Sequence, residues 1–265
     1  MHGWRGKLLS FLLLTVVAVA GQAADVEWGY EGDIGPDNWG LLDESFALCD
    51  VGQTQSPVDI TTFNVDEQAV SQFELSYNDA PVVLFNNGHT IEMDYETGSF
   101  MEFDGNLYEL LQFHFHAPSE HTINGQSFAM EMHMVHLCGR CFFNGQNDSI
   151  VVLGLLIEEG PTNQELASLW TSLPGTADEE VHLETTFNAL SVLPDDLTTY
   201  RYDGSLTTPP CTEGVGWLLL RETITMSASQ INFFKTLLEN SCCGFNNRPV
   251  QPLNGRVVTL DVGSD

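Results

Sequence analysis

Basic residues are scarce in this chain. Its 265 residues include 8 Lys+Arg against 37 Asp+Glu, a formal net charge of −29. Nucleic acids and anionic membrane surfaces repel a chain this acidic, which excludes both as partners. Repeats, low-complexity tracts and linkers are missing from residues 25–265, leaving one large domain. No apolar run reaches the roughly 20 residues that a spanning helix needs. The hydrophobic share, 43%, is nonetheless too high for intrinsic disorder and suits a sizeable core.

The N-terminus carries Arg5 and Lys7, then an apolar run from Leu8 to Ala20, then Gly21-Gln22-Ala23-Ala24. A basic start, a short apolar centre and small residues at the end make residues 1–23 a secretory signal peptide. Cleavage after Ala23 or Ala24 fits equally. A membrane anchor is the alternative, but the run is too short to span. Val257–Asp265 carries no hydrophobic tail of the kind a lipid-anchor signal needs. The expected mature protein, residues 24–265, has no membrane anchor and is secreted, periplasmic or in a secretory-pathway lumen. It keeps 6 basic residues against 37 acidic, or −31, and Lys235 is its only lysine.

Six cysteines fall in that mature part: Cys49, Cys138, Cys141, Cys211, Cys242 and Cys243. An even number outside the cytosol reads first as disulfides. Cys138-x-x-Cys141 would also serve as half a zinc site or a redox pair, although no second spaced pair accompanies it. Asn147-Asp148-Ser149 is a glycosylation sequon in a Gly/Asn-rich stretch.

Short alternating or apolar segments dominate the chain: Val82–Phe85, Thr90–Tyr95, Phe100–Phe103, Leu107–Phe115, Met130–Leu137, Ile150–Ile157, Val215–Arg221 and Val257–Leu260. Gly and Asn turns separate them, which is the texture of a sheet. Helical signals are confined to Asn163–Leu173 and Ser227–Leu238, the second opened by a Ser227/Gln230 capping pair. The expected fold is mainly β (α+β): one domain around a large, mostly antiparallel twisted sheet, with short peripheral helices.

The chemistry is concentrated in Gln112-Phe113-His114-Phe115-His116. Strand side chains alternate, so Gln112, His114 and His116 share one face and the phenylalanines the other. Two imidazoles so placed can converge on one cation, and neutral imidazole is a normal zinc ligand. A second strand offers Glu131, His133 and Val135 on one face, making His133 a candidate third ligand. The bland alternative is a set of buried histidines satisfied by their neighbours. Gln112 and Glu131 lie on the faces of His114 and His133, where each would hold the second ring nitrogen of a zinc-bound imidazole.

The stretch Gln112-Phe113-His114-Phe115-His116-Ala117-Pro118-Ser119-Glu120-His121 resembles the zinc-site signature of alpha-class carbonic anhydrases, in the short-loop form of bacterial, plant and algal members. The likeness extends through Trp28-Gly29-Tyr30, Gln55-Ser56-Pro57, Asn86-Asn87-Gly88-His89, Tyr202-x-Gly204-Ser205-Leu206-Thr207-Thr208-Pro209-Pro210-Cys211 and Asn246-Asn247-Arg248-Pro249. The resemblance implies reversible hydration of CO2 to bicarbonate and a proton by zinc-bound hydroxide, with Zn2+ on His114, His116 and His133. It implies that Thr207 and Glu120 orient the nucleophile and that His89 shuttles protons. The backbone carbonyl of Asn246 would hold His116. Val135, Val152, Leu206, Val215 and Trp217 would wall an apolar CO2 pocket, and Thr208 would contact substrate and water. Tyr30, Asn87 and Gln112 would border the cavity water chain, and Cys49 would pair with Cys211. The other four cysteines would form bonds within the chain or link subunits, giving a monomer or a disulfide-linked dimer.

Two departures stand out. Ala117 replaces a tryptophan usual in animal members, and Glu92 stands where well-known members have asparagine. A carboxylate there is expected to raise the His89 pKa or alter the water chain. The other class of function is a non-catalytic secreted relative used for binding, storage or matrix. Loss of a zinc histidine usually marks that fate, and all three are present. The acidity then reads as a surface adapted to a saline medium, where salt screens self-repulsion.

Overall fold

The computed structural model describes residues 26–68, 73–143, 146–241 and 244–262, and the side chains of 140–148 are not among those described. The expected signal peptide, Cys242, Cys243 and the side chains of Cys141 and Asn147 therefore lie outside what is described.

Eight strands carry the architecture: β1 (Ala80–Asn86), β2 (Ile91–Asp94), β3 (Asn106–His116), β4 (Met130–Phe143), β5 (Gln146–Glu159), β6 (Glu180–Phe187), β7 (Thr199–Ser205) and β8 (Glu213–Leu220). They run β6-β1-β2-β3-β4-β5-β8-β7 and continue through Thr259–Asp261 to Asp66–Gln68, within a sheet of thirteen described strands. Most pairings are antiparallel, as expected, but β5 pairs β8 in parallel. β7 is too polar to read as a strand from sequence. It forms because its antiparallel neighbour β8 is almost continuously apolar.

Alternation sorts the two faces. One face buries Leu84, Met93, Phe113, Phe115, Met132, Met134, Leu153 and Leu155 in the main core. Truncating a ring there, as in Phe113→Ala, is expected to cost about 3–5 kcal/mol. That face is covered by α1 (Ala228–Ser241), which buries Ile231, Phe234, Leu237 and Leu238. The predicted cap is present, with Gln230 N–H donating to Ser227 Oγ at 3.3 Å and Ser227 N–H to Gln230 Oε1 at 3.1 Å. The helix expected over Asn163–Leu173 shrinks to Ala167–Trp170. Asn163 Oδ1 takes the Leu166 N–H at 3.0 Å, a local bond that competes with an earlier helical start.

The opposite face carries the polar and catalytic candidates. Cys49 and Cys211 are disulfide-bonded across 162 residues, tying an N-terminal layer around Trp39 to the loop after β7. Cys138 is disulfide-bonded too. Among the described residues no helix is long and apolar enough to cross a membrane.

Candidate metal centre

Strand register assembles the centre. His114 on β3 lies opposite His133 on β4, and His116 lies opposite Glu131. The candidate nitrogens of His114, His116 and His133 all lie within 4.8 Å of one another. On the other flank of β3, Glu92 faces His114 and Asp94 faces Gln112.

Each imidazole is held by an acceptor. His114 Nδ1–H donates to Gln112 Oε1 at 2.8 Å, and His116 Nδ1–H to the Asn246 carbonyl at 2.6 Å. His133 Nε2–H donates to Glu131 Oε1 at 2.8 Å. These bonds fix the tautomers and leave three lone pairs, on His114 Nε2, His116 Nε2 and His133 Nδ1. The first two face each other at 3.1 Å with no proton between them. Two acceptors so placed are unsatisfied unless a cation joins them. Ligands about 2.0–2.1 Å from a tetrahedral zinc stand roughly 3.3–3.4 Å apart, so the donor set fits this ion. Burial lowers the pKa of all three rings, that of His116 to about 4, which favours the neutral form an imidazole needs to ligate.

The carboxylates around the rings have separate roles. Glu131 Oε2 accepts the Glu120 and His121 backbone N–H groups, both at 2.8 Å. Oε1 accepts from His133 and, at 2.6 Å, from His121 Nδ1. Burial alone would raise the Glu131 pKa, but these donors hold it well below the usual carboxylate range. Glu131 with His121 and His133 forms a second buried cluster of close ligand atoms. It is not a cation site, because the ring nitrogens there are donors. Glu120 Oε1 accepts the Arg248 N–H at 2.8 Å, while Oε2 turns toward the histidines, 3.5 Å from His116 Nε2 and 3.9 Å from His133 Nδ1. Burial pushes Glu120 up to about 7. The Thr207 hydroxyl is near enough to favour its charged form, yet Oε2 has no hydrogen-bond partner of regular geometry.

The other expected residues divide between cavity and scaffold. Val135, Val152, Val215 and Trp217 pack in one buried cluster with Leu206 at its edge. Gly154, opposite His133, leaves room there: a Cβ would meet Leu219 Cδ1 at 2.7 Å. Asn87 Oδ1 accepts the His89 and Thr90 N–H groups at 2.9 and 2.8 Å, so this acceptor shapes the turn that carries His89. Thr208 closes the loop that holds Thr207, its carbonyl accepting the Cys211 N–H at 2.8 Å. Tyr30 is buried beside Trp28 and Trp39. His89 stacks on Trp28 at 3.7 Å between centroids and 9° between planes, and burial lowers its pKa to about 4. Burial sets the direction of that shift, opposite to the rise expected from Glu92. Glu92 itself is pushed up to about 7 by burial and then by Asp94.

Sequence reasoning passed over three groups. His121 links Glu131 to the Tyr202 hydroxyl at 2.6 Å, and that hydroxyl meets Ser56 Oγ at 2.9 Å. Arg248 is wholly buried. Ser56, Tyr202 and Arg248 all sit in the quoted family segments, which was the available signal.

A shared sheet, a three-imidazole centre and its fixed acceptors define one enzyme class. The eukaryotic-type carbonic anhydrase family matches residues 34–262, and the chain belongs to it, in the alpha class. A carbonic anhydrase of Neisseria gonorrhoeae is 42% identical over 255 residues, 95% of this chain and 96% of that protein. One from Pectobacterium carotovorum is 38% identical, covering 96% and 99%. The alpha-carbonic anhydrase of Thermovibrio ammonificans, solved with the inhibitor sulfanilamide, superposes with a TM-score of 0.83 at 38% identity, over 89% of this chain and all of that one.

Proposed function

We propose that the chain is a zinc enzyme that reversibly hydrates CO2 to bicarbonate and a proton, with His114, His116 and His133 holding the metal. The observation that carries this is the set of three converging lone pairs, each aimed by a separate acceptor. Bound zinc supplies Lewis acidity that makes water acidic near neutrality, an established property of this class.

The chain's own groups supply the rest. The apolar wall of Val135, Val152, Leu206, Val215 and Trp217 receives a substrate without charge or dipole. Thr207 both accepts and donates, so its hydroxyl holds the attacking oxygen while giving its own proton to Glu120. Thr208, beside it, contacts substrate and water. His89 carries the proton out, past a cavity bordered by Tyr30, Asn87 and Gln112. Residues 24–265 would act outside the cytosol after loss of residues 1–23, consistent with the disulfide-bonded Cys49, Cys138 and Cys211.

Stopped-flow CO2 hydration with metal analysis tests the reading. One zinc per chain and rapid hydration inhibited by sulfanilamide are expected. A folded, zinc-loaded sample with no activity above buffer would overturn it in favour of a binding or storage role.

A further inference from the structure

The likeness to the family singled out Gln55-Ser56-Pro57 and Asn246-Asn247-Arg248-Pro249, of which the proposed chemistry uses only the Asn246 carbonyl. In the structure they clasp each other. Arg248 Nη1 donates to Gln55 Oε1 and to the Ser56 carbonyl, both at 2.8 Å, and Nη2 donates to the Cys49 carbonyl at 3.0 Å. The Trp39 ring lies 5.6 Å from the guanidinium carbon. Gln55 Nε2 in turn donates to the Cys211 carbonyl at 3.0 Å, and Cys211 is joined to Cys49.

The backbone of the same segment reaches the metal centre twice, through the Asn246 carbonyl on His116 and the Arg248 N–H on Glu120. The loop of Thr207 ends at Cys211, so both members of the orienting pair hang from one set of anchors. We propose that Arg248 is a positioning residue whose buried guanidinium fixes Glu120 relative to Thr207. This rests on the zinc hydration reading above. A buried arginine is a costly anchor unless bonded; three donor bonds and the Trp39 ring hold this one, while its Nε has no hydrogen-bond partner. Any residue supplies the backbone N–H, so what the side chain adds is placement.

Three variants test this: Arg248→Met, Arg248→Lys and Gln55→Leu. Each is measured for CO2 hydration, turnover in weak buffer, melting temperature and zinc release into a chelator. A misplaced Glu120 slows the CO2 step, so kcat/KM is expected to fall roughly ten- to hundredfold in Arg248→Met. Turnover in weak buffer, limited by proton export, changes far less, and Arg248→Lys recovers part of the loss. General loosening would instead lower both parameters together, and that result, or an unchanged kcat/KM, overturns the proposal. Zinc release is expected to quicken several-fold through the freed Asn246 carbonyl. If Arg248→Met does not fold, Gln55→Leu must show the same split on a smaller scale, and its absence refutes the idea. An inactive wild type would fail the hydration reading, while the zinc-release comparison would still judge Arg248.

Discussion

Replacing Trp28 with alanine is expected to speed proton export, although it removes a packed aromatic. His89 lies flat on Trp28, with Nδ1 buried and unpartnered. Burial takes its pKa from 6.5 to about 4. At about 1.4 kcal/mol per tenfold, that gap is worth about 3 kcal/mol against the charged ring. At pH 7 only about one stacked ring in a thousand would carry a proton, against about one in four for a solvated imidazole. A donor titrating near neutrality must therefore pass its proton uphill, slowing the step by up to about a hundredfold. Trp28→Ala exposes the ring and returns its pKa toward 6.5. Two measurements check this: an NMR titration of the His89 ring, and stopped-flow turnover in weak and strong buffer. The variant should gain turnover in weak buffer only, with a higher titration midpoint. A wild-type midpoint already near 6.5, or a slower variant of unchanged melting temperature, would refute the reasoning.

Other outcomes follow from the same geometry. His133→Ala removes one of three candidate ligands and leaves Glu131 short of a donor, so zinc should be lost on dialysis, as metal analysis would show. Burial lowers the pKa of His136 to about 4, so the neutral ring's contribution is intact above 6.5 and fades as pH falls toward 4. Unfolding by urea at pH 4.5 should give about 2–3 kcal/mol less from this residue than at pH 7.5, a difference absent from His136→Phe. Glu92 has the opposite sign: its raised pKa makes ionisation a cost that grows between pH 4.5 and about 7. Glu92→Gln should therefore raise the melting temperature at pH 8 and much less at pH 5. Removing the Cys49–Cys211 bond as the double serine variant should cost about 4–5 kcal/mol, from the long loop it closes.

Alternation made the ligand strand legible: Gln112, His114 and His116 on one face, Phe113 and Phe115 on the other, as found. The third candidate ligand was legible for the same reason, since Glu131 and His133 alternate with core methionines. What spacing alone does not carry is register. It is register that sets His114 opposite His133 and brings Glu92 beside them. The Asn246 carbonyl was foreseen only through the family likeness, because it is a backbone atom 130 residues from its partner. Arg248 escaped notice because a buried guanidinium looks like any surface arginine until its acceptors are in place. The edge strand β6 was missed because five of its eight residues are polar and exposed.

The span of these contacts along the chain bears on the order of folding. The three candidate ligands come from neighbouring strands β3 and β4, joined by a short connection, so they can meet through local pairing. Glu120 and Thr207 are instead brought into line by contacts spanning 128 and 156 residues. Long-range closures form late when chain entropy governs the sequence of events. Nascent molecules would then be able to capture their ion before the groups that direct the nucleophile are set. Such a species would be metallated but idle, and oxidation of Cys49 and Cys211 would coincide with the gain of activity.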